Sequence, residues 1–228
     1  MRLVLFDIDG TLLWSDGAGR RSMTAALTEA IGTAGPAEYR YDGKTDPQIV
    51  RDLMALAGFA PEAIAERIPP LLERYVTLLA EELRDRRLAL FQGVAELIEA
   101  VDAADDMALG LLTGNVRRGA ELKLRAAGLA FERFRVGAFG SDHADRPELP
   151  AIAQRRARET LGVEVPGDRV IVIGDTPADI ACGRGIGARA IAVATGHYGV
   201  DELSRHAPAA VFATLEDTDA VMAVIRDG

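Results

Sequence analysis

Residues 3–6 form an unbroken apolar run that ends on two acids, Asp7 and Asp9. A strand buried on both faces of a parallel sheet reads this way. Between residues 22 and 83 the pattern changes. Apolar positions recur three and four apart over 22–31, 47–57, 61–68 and 71–83. That spacing predicts helices, with Pro69 and Pro70 separating the last two. No strand is predicted in this stretch. From about residue 93, apolar runs alternate with helical spacing. The predicted order is helix 94–104, strand 107–113, helix 116–127 stopped by Gly128, and strand 135–139. Helix 149–161, strand 170–174, helix 177–184 and strand 188–194 follow. A short helix from Asp201, strand 210–212 and helix 217–225 complete the chain.

Strands alternating with helices imply right-handed crossovers and a parallel sheet covered on both faces. The predicted fold class is therefore α/β, a doubly wound parallel sheet with a helical domain inserted after its first strand. Residues 1–14 and 90–228 form the core on this reading and 15–89 the insert. Segments 14–19 and 88–93 are the expected linkers, and Gly17 and Gly19 suit the first of them to a hinge.

Composition narrows the field of functions. The chain has 228 residues, 49% hydrophobic and 27% charged, which suits a globular protein. Its net charge of −9 argues against nucleic acid and against an anionic membrane surface as partners. Cys182 is the one cysteine, so no internal disulfide and no cysteine-based zinc site are possible. No apolar stretch reaches the length of a membrane span and no secretory leader is evident, so a cytoplasmic protein is expected. Oligomeric state is not legible. Of the 26 Lys and Arg residues, only Lys44 and Lys123 are lysines.

Ligands of such sheets bind beyond the carboxyl ends of the strands. Asp7 and Asp9, two positions apart, can face the same side there and repel unless a cation or shared proton relieves them. Asp175 and Asp179 add negative charge at the same end. Three or four carboxylates make a natural site for a hard cation such as Mg2+. Asp179 has a second reading: with Thr176 as N-cap and Pro177 following, it fits a capping box. Thr113-Gly114-Asn115 also reads two ways. It is ordinary loop chemistry with Asn115 as N-cap, or a hydroxyl and backbone N–H groups placed for a phosphate. Glycines 183, 185 and 187 follow a helix and do not open one, so they are no dinucleotide loop. His143, His197 and His206 lack ligand spacing and are expected in ordinary loop roles. Trp14 is expected at the hinge or the insert interface.

Asp7-Ile8-Asp9-Gly10-Thr11-Leu12, Thr113-Gly114-Asn115 and Gly174-Asp175-Thr176-Pro177-Ala178-Asp179, in this order and strand context, resemble the haloacid dehalogenase (HAD) superfamily. The resemblance covers essentially the whole chain. It is to the phosphatase branch with a small helical cap, similar to phosphoglycolate phosphatases and beta-phosphoglucomutases. It implies a HAD-like, Rossmann-type core with residues 15–89 as the cap. It implies Asp7 as the nucleophile that becomes an aspartyl phosphate and Asp9 as the general acid and base. Mg2+ would be held by Asp7, the backbone carbonyl of Asp9, and Asp175, with Asp179 direct or through water. Thr113 and the N–H of Gly114 would hold a phosphoryl oxygen, beside Asn115. An acid at Asp9 suits an alkoxide leaving group and disfavours dehalogenation.

The family's lysine is a departure: Arg146, before Pro147, stands at the matching position. It is either that residue's replacement or a surface arginine at a helix start. Lys44 either reaches over the substrate or stands before a helix capped by Asp46. Lys123, among charged neighbours, is expected in solvent. The function implied is a Mg2+-dependent phosphomonoesterase acting on a small phosphorylated metabolite. The alternatives are a sugar phosphomutase of the same family and, from another class, a phosphoryl-accepting signalling or binding protein.

Overall fold

The structure, a computed structural model, describes residues 1–227. The apolar run after the N-terminus is strand β1 (Arg2–Phe6). A tight turn follows, with Gly10 N donating to Leu13 O at 3.0 Å, and leads into the two-residue strand β2 (Leu13–Trp14). Helices α1 (Ala18–Ile31), α2 (Asp46–Leu56) and α3 (Pro61–Leu83) come next. Strand β3 (Ala89–Leu90) then pairs antiparallel with β2. The rest alternates: α4 (Val94–Asp102), β4 (Met107–Thr113), α5 (Arg117–Ala126), β5 (Val136–Phe139) and α6 (Leu149–Leu161). Then come β6 (Val170–Gly174), α7 (Pro177–Cys182), β7 (Arg189–Val193), α8 (Val200–Ser204), β8 (Ala210–Phe212) and α9 (Thr218–Arg226).

Six strands form one parallel sheet in the order β5-β4-β1-β6-β7-β8, the doubly wound α/β arrangement expected. Alternate residues of β1 supply the two faces. Val4 and Phe6 pack with α4, α5 and α9, and Leu3 and Leu5 pack with α6 and Cys182. The carboxyl ends of β1, β4 and β6 lie side by side because β1 is bonded to both of the others.

Helices α1–α3 bury their apolar stripes in a separate cluster that includes Leu27, Val50, Leu53, Tyr75 and Leu79. Val116, at the start of α5, joins that cluster and ties the insert to the sheet layer.

Several local expectations are corrected. Residues 61–68 and 71–83 are one helix, not two, with Pro69 and Pro70 inside it. Both prolines are exposed, so the carbonyls they leave unbonded face water, while Ile64, Leu71 and Tyr75 pack both halves into one cluster. The expected linkers pair with each other through β2 and β3, strands too short for a periodicity signal. The helix after β6 ends at Cys182 and continues as a 3-10 turn over 183–186. Asn115 does not cap α5; Val116 occupies that position. Asp46 does not cap α2 either, because Thr45 does so through its hydroxyl, accepting from Gln48 N.

Candidate active site

Asp7 continues β1 by one ladder bond, donating from its N–H to Ile173 O at 2.9 Å. This fixes its carboxylate at the seam between β1 and β6. Asp175 follows β6 and Thr113 ends β4, so the three reach one point from adjacent strands. Oxygens of Asp7, Asp175 and Asp179 lie within 4.8 Å of one another, and all three residues are buried. The turn after β1 must pass close to this cluster. Gly10 adopts φ +83°, and any β-carbon there would strike the Asp175 carboxylate. The Thr11 hydroxyl donates to Asp175 at 3.1 Å.

Arg146 is buried and supplies the cluster's cation. Its Nη2 lies 3.2 Å from Asp7 Oδ1 and also pairs with Asp179 Oδ1. Its Nε has no hydrogen-bond partner among the described residues. The reading of Arg146 as a surface residue is therefore wrong. Burial opposes its charge, but Asp179 and Asp7 hold it more firmly protonated than an ordinary arginine. Burial pushes the Asp7 carboxyl up to about 6, Arg146 pulls against that, and Asp179 and Asp9 add to it. Burial, then Asp179 and Asp7, lift Asp175 well above the usual carboxylate range.

The capping-box reading of Asp179 holds. The residue completes the capping box, with Oδ2 accepting from Thr176 N–H at 2.9 Å and from the Thr176 hydroxyl at 2.7 Å. Its other oxygen meets Arg146. The carboxylates of Asp7 and Asp175 are less encumbered. Three buried carboxylates against one guanidinium leave an excess of negative charge, and this donor set fits a hard divalent cation.

Asp9 points away from this cluster into a second one. Its carboxylate accepts from Ser15 Oγ at 2.9 Å, Asn115 Nδ2 at 2.9 Å and Lys123 Nζ at 2.5 Å. Burial pushes its proton affinity up, yet Lys123 and these hydrogen bonds hold it below the ordinary carboxylate value. Lys123 is thus not in solvent, as its charged neighbours led us to expect. It is 3% exposed and also donates to Asn115 Oδ1 at 2.6 Å. Sequence reasoning missed Lys123, Ser15 and Thr11. For Lys123 a signal existed: it stands three residues after Ala120 on the face that buries Gly119, Ala120 and Leu124.

The insert covers the site. The loop before α2 lies on the core, with Thr45 Oγ1 donating to Ala144 O at 2.5 Å and Asp46 N to Gly114 O at 2.8 Å. Asp46 Oδ2 accepts from Val116 N–H at 2.8 Å. Burial pushes the Asp46 carboxyl up to about 6, with Lys123 and the Val116 N–H pulling the other way. Lys44 lines the cavity but folds back on the insert, pairing with Asp52 at 3.1 Å and with the Tyr39 hydroxyl at 2.8 Å. His197 departs from an ordinary loop role: it lines the cavity, packs edge-on to Trp14 and pairs with Asp42 of the insert at 3.1 Å. The cavity is about 360 Å3, and Trp14, Met23, Tyr41, Ile49 and Tyr75 supply apolar surface to its lining.

Comparison with known proteins places this geometry among relatives. A family model described as haloacid dehalogenase-like hydrolase matches residues 4–184. The chain is 28% identical over 222 residues to an N-acetylmuramic acid 6-phosphate phosphatase of Pseudomonas aeruginosa, covering 90% of this chain and 91% of that one. A hydrolase from Pseudomonas syringae superposes with TM-score 0.74 at 22% identity, over 98% of both chains. CbbY from Rhodobacter sphaeroides, solved with phosphate, superposes with TM-score 0.65 at 24% identity, over 95% of this chain and 96% of that one.

Proposed function

The chain belongs to the haloacid dehalogenase-like hydrolases, and on that premise we propose that it is a Mg2+-dependent phosphomonoesterase acting through a phosphoaspartate at Asp7. The observation that carries the reading is the pair of carboxylates, Asp7 and Asp175, beside the buried cation Arg146 at one end of a covered cavity. When bound, Mg2+ would be held by Asp7, Asp175 and the Asp9 carbonyl, with Asp179 direct or through water, and would offset repulsion between anionic nucleophile and anionic phosphoryl group.

The residues divide the work. Asp7 attacks phosphorus, the bond to the ester oxygen breaks, and that oxygen takes a proton from Asp9. Asp9 then takes a proton from water, whose oxygen attacks phosphorus and frees Asp7. At rest Asp9 is in its basic form, suited to the second step. A dianionic phosphoryl group arriving beside it favours the protonated form that the first step needs. Arg146, the Thr113 hydroxyl and the Gly114 N–H would hold the phosphoryl oxygens, and Arg146 takes the place of the family's lysine. Residues 15–89 act as a cap over the core of residues 1–14 and 90–228, opening for substrate and closing to exclude water.

The substrate is a small phosphorylated metabolite. The cavity volume and the aromatic side chains Trp14, Tyr41 and Tyr75 favour a sugar-sized ester, whose apolar ring faces suit such walls. The test is a panel of sugar 6-phosphates, including N-acetylmuramic acid 6-phosphate, with glycerol phosphate, phosphoglycolate and acetyl phosphate. It is run with Mg2+ and with chelator, on wild type and Asp7→Asn. Phosphate release should require the metal and vanish in the variant. Retained release by Asp7→Asn removes the nucleophile, and release only with a bisphosphate activator makes the protein a mutase.

A further inference from the structure

Lys123 has no part in the reaction as described, yet it is an ammonium buried in the wall of the site. A buried charge is costly unless it is well paired, so its partners matter. They are Asp9 Oδ2 at 2.5 Å and Asn115 Oδ1 at 2.6 Å. Neither is part of the Asp7, Asp175 and Asp179 cluster that Arg146 serves.

The chemistry of the donors fixes the orientation of the whole network. An ammonium has no acceptor, so the amide of Asn115 must turn its oxygen toward Lys123. Its Nδ2 is thereby turned to Asp9 Oδ2 at 2.9 Å and Thr113 Oγ1 at 2.8 Å. Thr113 Oγ1 accepts from that amide, which leaves the hydroxyl proton free to donate to the Asp7 side. One lysine on α5 thus sets both the carboxyl after β1 and the hydroxyl ending β4. The insert seals the arrangement: a β-carbon at Gly19 would stand 3.1 Å from Lys123 Nζ, and Tyr75 lies beside it.

We propose that Lys123 is a positioning residue that holds Asp9 in line for proton transfer. The proposal rests on the phosphatase reading above. Asp9 matters to the first step only when the leaving oxygen needs a proton. Acetyl phosphate releases carboxylate and needs none, whereas a primary alkyl phosphate releases an alkoxide. The second step needs Asp9 whatever the substrate.

The experiment compares wild type and Lys123→Met on acetyl phosphate and on the primary alkyl phosphate that the panel shows to be turned over best. kcat/KM should fall at least about tenfold more on the alkyl ester than on acetyl phosphate, within the span expected for acid–base catalysis. kcat should fall on both, and phosphoenzyme should accumulate with acetyl phosphate. A second comparison sets Asp9→Asn beside Asp9→Asn/Lys123→Met, which removes both charges of the pair and remains informative if Lys123→Met does not fold. The two should agree within about threefold, because Lys123 acts through Asp9. Equal losses on both substrates, or a further large loss in the double variant, overturn the positioning role and leave the phosphatase reading standing. No release by wild type from any ester overturns both.

Discussion

At the floor of the cavity, Asp7, Asp179 and Arg146 are all nine-tenths or more buried, and the cation joins residues that follow different strands. At the roof, residues 42–52 of the insert meet the core through one backbone N–H, the Asp46 carboxylate, a hydroxyl and pairs open to solvent, such as Arg51 with Asp145 at 3.0 Å. Charges at the floor interact through protein, where their strength is large and removing one partner is expensive. Contacts at the roof are screened and individually weak, which suits a surface that must part and re-form. Asp46 is the exception: it belongs to the roof but is buried like the floor.

That contrast can be broken at its strong end first. Arg146→Ala should lower kcat/KM at least tenfold, about 1.4 kcal/mol. It should also lower Tm in the metal-free protein, because it strands Asp7 and Asp179 without their buried partner. An unchanged kcat/KM would place the phosphate contact elsewhere. Next comes the cation. Asp7 and Asp175 have raised proton affinities in the metal-free fold, so protons and Mg2+ compete for them. The gain in Tm on adding Mg2+ should therefore be larger at about pH 7.5 than at about pH 5. A gain independent of pH, read by thermal melts, would mean the ion sits elsewhere.

Asp46 tests the exception. Its folded value of about 6 lies above its ordinary 3.8, so the fold favours the protonated form. The stability it contributes is present at low pH and is lost as pH rises through about 6. Asn keeps the acceptor for Val116 N–H and removes the titration. The unfolding free energy of Asp46→Asn minus that of wild type, read by denaturant titration, should grow between about pH 4 and pH 6 by an amount on the order of 3 kcal/mol and then level off. A flat difference would show that the charge is not felt. The smallest effect belongs to Arg51→Ala, which breaks an exposed pair and should change KM by less than about threefold.

The floor was far more legible in the sequence than the roof. An apolar strand running into Asp7 and Asp9 is an anomaly that only chemistry explains, and Asp175 repeats it after β6. Arg146 was found by its place before Pro147, and its burial follows from the carboxylates that surround it. Lys123 was misread because charged neighbours, Glu121 and Arg125, suggested a solvated face, although helical spacing placed it on the inward stripe. Asn115 was read as a helix cap or a phosphate contact, and Asp46 as a helix cap. Their side chains instead bond across the chain, to Asp9 and to Val116, and no local rule contains such partners. Pro69 and Pro70 stayed inside one helix because tertiary packing outweighed two missing donors.

The short ribbon of β2 and β3 has a consequence for how the protein can be taken apart and rebuilt. Leu13 faces Leu90 and Trp14 faces Ala89, so the chain leaves the sheet layer and returns to it at neighbouring points. Everything between is, in topological terms, a long loop whose ends are already closed by the ribbon. Joining residue 14 to residue 89 through a two-residue turn would delete the insert and leave a hairpin in its place. The ribbon thus gives the insert one pair of attachment points, next to each other at the edge of the sheet layer.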